Sequence, residues 1–351
     1  MSRRHAQIVG AVATALMLIS VLAGCGGSTK AGTGSGTPAG KTFKIGLVTD
    51  IGGLNDRGFN SLANQGLMQA EQQLHVSGKV LESHSGDDYI PNLTTFAGQK
   101  YDLVIAVGFL METAVGTVSG QNPNVHFAII DGAGTDAQGN DLHHPNVQSL
   151  LFAEQDAGAL VGVVAGMVEK GGQGPLKKNT ISAVGGISIP PVNHYIAGYK
   201  WAATMEDSSV KVLVGYSNDF TDPAKCQDVA NAQIGQGSDI VFQVAGGCGL
   251  GAIQAATTQH VFSIGVDTDQ KGAGSSVIAS AQKKVDVATY DAIKAVVGGN
   301  FQGGVSLFDL KNGGVGIAPG NLPSNPTIDA EVQKISQEII SGQLTPPSTI
   351  Q

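Results

Sequence analysis

Three aspartates stand directly after short apolar runs, at positions where a β-strand would end. Asp50 follows KIGLVT, Asp131 follows VHFAII and Asp267 follows VFSIGV. In a parallel sheet the carboxyl ends of the strands meet at one edge, and ligands bind beyond that edge. A carboxylate placed there accepts hydrogen bonds from the N–H and O–H groups of a polar molecule. The alternative is that these aspartates form turns or cap helices.

The segment after the first predicted strand reads DIGGLNDRGFN over residues 50–60 and combines carboxylate, amide and aromatic side chains. Asn55 and Asn60 can each donate and accept hydrogen bonds, although both residue types also form turns and cap helices. Phe59 ends this polar loop, and Phe220 lies in a second polar loop, FTDPAK. Each phenyl ring is predicted either to contact a ligand or to pack on its own part of the chain.

Two other positions lie near predicted strand ends. Lys283 follows the predicted strand Ser276–Ser280, where it either balances the aspartates electrostatically or stands in solvent. Gly246 closes the predicted strand Ile240–Gly246, where the missing side chain lets a ligand approach the backbone. The eight histidines are scattered, and no His, Cys and Asp spacing resembles a zinc site. No metal and no cofactor are therefore predicted.

Short apolar runs alternate with helical stretches in two successive blocks. The first block has predicted strands at 44–50, 79–84, 103–108, 125–131 and 147–152, and the second at 181–186, 211–217, 240–246 and 261–267. Runs that are apolar throughout are typical of parallel strands buried on both faces. The pattern predicts an α/β fold with two doubly wound parallel-sheet lobes.

The N-terminus carries an export signal. Arg3 and Arg4 precede an apolar stretch from Ile8 to Leu22 that is too short for a confident membrane span. The stretch ends in Leu-Ala-Gly-Cys, which resembles a bacterial lipobox cut before Cys25, whose thiol then carries a diacylglyceryl group. Residues 1–24 are predicted to be a signal peptide, and 25–42 a flexible Gly/Ser/Thr linker. The mature protein is expected at the membrane, outside the cytoplasm.

Composition and cysteine content restrict the remaining classes. The 351 residues are 42% hydrophobic and 14% charged with a formal net charge of −8, which fits a globular protein and argues against nucleic acid as a partner. Cys226 and Cys248 are the thiols left besides Cys25. In an exported protein a disulfide between them is plausible, and the alternative is two small buried core residues.

Several segments resemble the basic membrane protein (BMP) family of substrate-binding lipoproteins of ABC importers. Residues 50–60 resemble its signature D-x-G-G-x-N-D-x-x-F-N. Further matches follow in the same order: LVIAVGFLM (103–111), VHFAIID (125–131), VGGISIPPV (184–192), FTDPAK (220–225), GVDTDQ (265–270) and KKVD (283–286). They are spread over nearly all of residues 43–300.

The resemblance implies a fold like the type I periplasmic binding proteins, with two lobes joined by a hinge. It implies that the chain crosses between lobes several times, so that lobe 1 comprises 43–153 plus 271–303 and lobe 2 comprises 154–270 plus 304–351. It also implies a purine nucleoside as ligand, ABC permease and ATPase subunits as partners, and no catalytic activity.

The same resemblance assigns roles to individual residues. It implies that Phe59 and Phe220 sandwich the base, that Asp131 faces the base, and that Asp267 and Lys283 bind the ribose. Asp50, Asn55, Asn60 and Gly246 complete the predicted ligand-binding set.

Two other functions stay open at this point. The acids Asp50, Asp131, Asp267 and Asp269 could form a carboxylate pair or a metal site in a nucleoside-cleaving enzyme. Against that reading, the chain has only Asp50 and Asp56 near the first strand, and it lacks a G-x-S-x-G motif. The third possibility is a sensor that presents its bound ligand, a nucleoside or another sugar-like solute, to a signalling partner.

Overall fold

The computed structural model describes residues 41–350, so the predicted signal peptide, Cys25 and most of the linker lie outside the described residues. From Thr42 onward the chain forms one compact unit. Two six-stranded sheets form its framework. The helices and strands are bounded as follows: β1 Lys44–Thr49, α1 Phe59–Leu74, β2 Ser77–Leu81, α2 Tyr89–Gly98, β3 Leu103–Val107, α3 Glu112–Gln121, β4 His126–Ile130, β5 Val147–Phe152, α4 Glu154–Lys170, β6 Thr180–Gly185, α5 Pro190–Glu206, β7 Lys211–Tyr216, α6 Pro223–Gly235, β8 Ile240–Val244, α7 Gly249–Thr258, β9 Phe262–Asp267, β10 Val277–Lys283, α8 Val285–Val297, β11 Gly304–Phe308, β12 Val315–Pro319 and α9 Pro326–Ile340.

The strand order is β11-β5-β4-β3-β1-β2 in the first sheet and β12-β10-β9-β8-β6-β7 in the second. Every pair in the first sheet is parallel. The second sheet is also parallel except for its edge, where β12 runs antiparallel to β10. The structure is therefore α/β with two doubly wound sheets, as the alternating pattern predicts.

Helix pairs cover both sheets. The pairs α1–α8 and α2–α3 pack on the first sheet, and the pairs α4–α5 and α6–α7 pack on the second. Strands β3, β6 and β8 are buried along their whole length, which explains their continuous apolar composition. The last helix, α9, packs against α4.

The chain passes between the sheets three times, at 152–154, 283–285 and 308–315. The predicted assignment of the strand near 276–280 to the first lobe is wrong, because β10 pairs with β9 in the second sheet. The assignment of everything after residue 304 to the second lobe is also wrong for β11, which pairs with β5 in the first sheet. Strand β10 is buried along nearly all its length and would suit either sheet, while β11 is a short, largely exposed edge strand, so the composition of neither identifies its partner.

No helix within residues 41–350 is long and apolar enough to cross a membrane.

Candidate ligand-binding site

A cavity lies beyond the carboxyl ends of strands from both sheets. About 590 Å³ of space free of protein atoms lies within it, open solvent at its mouth included. Eight residues of the predicted ligand-binding set line it: Asp50, Phe59, Asn60, Asp131, Phe220, Gly246, Asp267 and Lys283. Asn55 does not; its side chain is exposed on the turn outside.

The loop between β1 and α1 is fixed by its own side chains. The Asp56 carboxylate accepts hydrogen bonds from the backbone N–H groups of Gly58, Asn60 and Ser61, at 3.0, 2.6 and 3.1 Å. Asp56 turns inward to reach these groups, and its neighbour Asn55 is exposed, so of the predicted set Asn55 is the residue that is not part of the cavity wall. The Asn60 amide donates to Asp50 Oδ1 at 2.8 Å and accepts from the Asp50 backbone N–H at 3.2 Å. Asn60 therefore braces the loop from a position in the cavity wall.

Phe59 and Phe220 reach the cavity from different sheets. Phe59 is the first residue of α1, and Phe220 lies between β7 and α6. Each ring packs against a glycine. A Cβ at Gly186 would stand 2.3 Å from Phe220 Cε1, and one at Gly108 would stand 3.4 Å from Phe59 Cε1. Gly108 also has φ of 123°, which side-chain-bearing residues rarely adopt. The missing side chain at Gly186 thus leaves room for the Phe220 ring, whereas glycine at position 108 is required by its backbone conformation.

The strand-end aspartates Asp131 and Asp267 line the cavity; the Asp131 side chain is 5% exposed, and Asp267 is buried. Asp131 Oδ1 has no hydrogen-bond partner in the part of the chain that the structure describes, so it is available to a ligand donor. Asp267 Oδ1 accepts from the Tyr195 hydroxyl at 3.3 Å. Burial raises the pKa of Asp131 to about 7 although Lys283 opposes it, and burial raises the pKa of Asp267 and of Asp50 to about 6.

Lys283 is a buried ion-pair partner and not a solvated surface lysine. Its side chain is 2% exposed, and its Nζ lies 2.5 Å from Asp131 Oδ2 and 2.9 Å from Glu154 Oε1. The Nζ atom also lies 5.0 Å and 4.9 Å from the ring centroids of Phe59 and Phe152. Burial alone would lower the pKa of Lys283, but the surrounding carboxylates outweigh it and hold the pKa well above its ordinary value.

Three residues with polar side chains at or behind this site were not predicted as ligand-site residues from the sequence: Asp56, Tyr195 and Glu154. Asp56 lies within the signature DIGGLND, directly after Asn55. Tyr195 lines the cavity from α5, and an aromatic residue on a helix carries no distinctive pattern. Glu154 follows β5 by two residues, so the strand-end criterion that selected Asp131 would have found it.

Cys226 and Cys248 form a disulfide, with their Cα atoms 5.5 Å apart. It joins the first turn of α6 to the residue before α7. The backbone N–H of Cys248 donates to the Phe220 carbonyl at 3.0 Å, so the bridge braces the loop that carries one cavity ring. Over residues 41–350, no group of His, Cys, Asp and Glu side chains is arranged to hold a metal ion.

Two doubly wound sheets with a lined cavity between their strand ends are the arrangement of a two-lobed solute-binding protein. Residues 43–349 match the family model Bmp, described as "ABC transporter substrate-binding protein PnrA-like". The chain belongs to this family, whose members are substrate-binding components of ABC transporters.

Individual relatives agree with this assignment. The chain is 31% identical over 365 residues to the ABC transporter nucleoside-binding protein BmpA of Lactococcus lactis, a match that covers 97% of this chain and 99% of that protein. It is 34% identical over 316 residues to an uncharacterized lipoprotein of Pyrococcus horikoshii, covering 86% and 74%. A solved ABC transporter solute-binding protein from Aeropyrum pernix has a TM-score of 0.78 at 28% identity, covering 87% of this chain and 94% of that one.

Proposed function

We propose that this chain binds a purine nucleoside between its two sheets and delivers it to the membrane subunits of an ABC importer. One observation carries the proposal: Phe59 and Phe220, from different sheets, line the same cavity, and Asp131 and Asp267 lie in its wall. Paired aromatic rings suit a flat base, and carboxylates suit the N–H and O–H groups at its edge and on a ribose. The relative named as nucleoside-binding supports the same ligand class.

In the proposed mechanism no bond of the solute is broken. The ligand contacts one half through Phe59 and the other through Phe220, so it stabilises the closed arrangement of the two halves by its extra contacts there. The loaded, closed protein then docks on the permease. The three passages of the chain between the sheets serve as the hinge.

We further propose that the mature protein is anchored on the outer face of the cell membrane through a lipid on Cys25. The Leu-Ala-Gly-Cys motif and the relative named as a lipoprotein support this location. Two or more acyl chains anchor firmly because each buried CH₂ contributes about 0.8 kcal/mol. Replacement of Cys25 by Ser is expected to release the protein from the membrane fraction; retention there would contradict the anchor.

Isothermal titration calorimetry on protein that has been unfolded, dialysed and refolded to remove any bound solute tests the ligand class. Inosine, guanosine and adenosine are expected to bind more tightly than hypoxanthine, guanine, ribose or glucose. Preference for a sugar over every nucleoside would overturn the proposal. Chromatography of the same mixtures after incubation separates binding from cleavage, because an enzyme would release free base.

A further inference from the structure

We propose that Glu154 is a positioning residue of the ligand site: from behind the cavity it holds the Lys283 ammonium against Asp131 and so sets the charge that a ligand meets there. This inference rests on the proposed function, because it names a residue that acts on the same cavity.

Glu154 stands where two passages between the sheets meet. It begins α4 just after β5, Lys283 ends β10, and Asp131 follows β4. Glu154 does not line the cavity. Its side chain is 3% exposed, with Oε1 2.9 Å from Lys283 Nζ and Oε2 3.1 Å from His194 Nδ1. Both carboxylate oxygens are thus engaged on the side away from the ligand.

Lys283 depends on this arrangement for its position. An ammonium group has three N–H donors, and Asp131 and Glu154 each take one. A buried charge that loses a hydrogen-bonded partner is strongly disfavoured, so without Glu154 the ammonium would shift or become hydrated. Because Asp131 Oδ2 contacts Lys283 and Oδ1 has no partner among the described residues, a shift of the ammonium would also turn the Asp131 carboxylate that lines the cavity.

Glu154 also affects the charge of Asp131. The charged and titratable groups around Asp131 come from four elements: Glu154 of α4, Tyr195 of α5, Asp267 of β9 and Lys283 of β10, with His194 of α5 behind Glu154. Three carboxylates therefore share one ammonium. The negative charge of Glu154 favours the protonated form of Asp131, while Lys283 favours the ionised form.

The substitution Glu154→Gln keeps the shape of the side chain and removes its charge, so it should change both the affinity for inosine and the pH dependence of that affinity. The glutamine oxygen still accepts from the Lys283 ammonium and keeps it near Asp131, but the contact is weaker without the negative charge, so inosine binding should weaken about tenfold at pH 8, where Asp131 is ionised. Loss of the negative charge should lower the pKa of Asp131. The pH at which affinity is half lost should therefore move to a lower value, which a purely structural defect would not cause.

The experiment compares inosine affinity by calorimetry from pH 5 to pH 8.5 in the wild type, Glu154→Gln and Glu169→Gln. Glu169 is the matched control, because it is a buried glutamate of the same helix at the opposite end and does not line the cavity. Glu169→Gln is expected to bind like the wild type at every pH. An unchanged midpoint in Glu154→Gln, or an equal shift in Glu169→Gln, would overturn the inference.

Two further measurements keep the inference testable. Should Glu154→Gln fail to fold, Glu154→Asp is the substitute, because it retains the charge but is one methylene shorter. This variant is expected to bind inosine more weakly while affinity is half lost at the same pH as in the wild type. Full wild-type affinity would count against the positioning role of Glu154.

If the wild type binds no nucleoside, the proposed function fails, and carboxyl-carbon NMR of the ligand-free protein decides the role of Glu154. The pKa of Asp131 is then expected to be lower in Glu154→Gln than in the wild type, and an equal pKa in the two proteins would refute the role of Glu154.

Discussion

Asp131 and Asp267 are structural counterparts in the two halves of the molecule. Asp131 follows β4 and Asp267 ends β9, and these strands are third in their sheets when counted from the β11 and β12 edges. Both aspartates have a left-handed backbone, with φ of 66° and 64°. Such a conformation is uncommon outside glycine, but aspartate and asparagine tolerate it. The repeated turn presents one carboxylate from each half to the same cavity.

Asp131→Asn should weaken nucleoside binding by about 1.5–3 kcal/mol, because the charge proposed to accept a ligand hydrogen bond is lost. Asparagine keeps the left-handed backbone possible, so the circular dichroism spectrum should be unchanged. Calorimetry with inosine measures the loss. Equal affinity in mutant and wild type would show that the unpartnered oxygen of Asp131 does not contact the ligand.

Asp267→Ala should reduce the preference for ribosides over free bases, because its carboxylate is the proposed acceptor for ribose hydroxyls. The ratio of the affinities for inosine and hypoxanthine is the measurement, since it cancels a general loss of binding. A mutant that keeps the wild-type ratio would contradict the ribose role.

Phe59→Ala and Phe220→Ala should each cost about 1–3 kcal/mol of nucleoside binding, because each removes one stacking surface. Phe301→Ala is the control: this ring packs against His126 and does not line the cavity. Its affinity should equal that of the wild type. Unchanged affinity in both cavity mutants would exclude the paired-ring mode of binding.

Nucleoside affinity should fall as the pH is lowered from 8 to 5.5. The pKa values of Asp131, at about 7, and of Asp50 and Asp267, at about 6, are raised by burial. A ligand N–H or O–H donor stabilises the ionised carboxylate and therefore lowers these raised pKa values. Binding is thus strongest at pH values above the pKa values of the free protein and is lost as the carboxylates take up protons. Affinity that is constant or rises on acidification would contradict this assignment.

The disulfide should stabilise the fold. The two cysteines are 22 positions apart in the sequence, and closing a loop of that size contributes roughly 3 kcal/mol. Urea unfolding of the double mutant Cys226→Ser, Cys248→Ser should show this loss, and reduction of the wild type should reproduce it. Nucleoside affinity should fall as well, because the Phe220 loop loses its brace. Identical unfolding curves would argue that the bridge does not form in solution.

Glu169→Gln should raise the free energy of unfolding at pH 8. Burial, followed by the nearby Asp239 and Asp207, raises the pKa of Glu169 to about 8, and its Oε1 has no hydrogen-bond partner in the described chain. A glutamate in an unfolded chain titrates near 4.3, so the folded state is progressively destabilised as the pH rises from that value through 8. Glutamine removes this penalty, with a gain of at least about 1 kcal/mol at pH 8. Urea curves at pH 5 and pH 8 measure it; an equal effect at both values would contradict the titration.

Local composition was sufficient to locate strands β1 to β10 and the acids at the ends of β1, β4 and β9, but not the edge strands β11 and β12. Parallel strands share one carboxyl edge, so Asp50, Asp131 and Asp267 could be placed together before any contact was known. Helices α2 and α3 were not predicted from the sequence. They are short and contain Thr and Gly, residues with weak helix propensity, so they show no clear helical pattern.

Pairings between distant parts of the chain could not be predicted locally. Strand β10 joins the second sheet and β11 the first, and which sheet each joins depends on where the chain crosses. The sequence of neither strand, the buried β10 or the exposed edge strand β11, specifies that choice. Similarly, the environment of Lys283 depends on Asp131 and Glu154, which lie more than 120 positions away in the sequence. A lysine beside a predicted strand end carries no mark of such burial.

The connectivity of the first sheet has a consequence for biosynthesis. Its edge strand β11 is made only after strands β6 to β10 of the second sheet have been translated. Until then the outer edge of β5 presents unpaired backbone groups that invite pairing with another chain. A nascent or truncated polypeptide that stops before residue 304 should therefore aggregate or be degraded, and neither half should be obtainable as a single contiguous fragment.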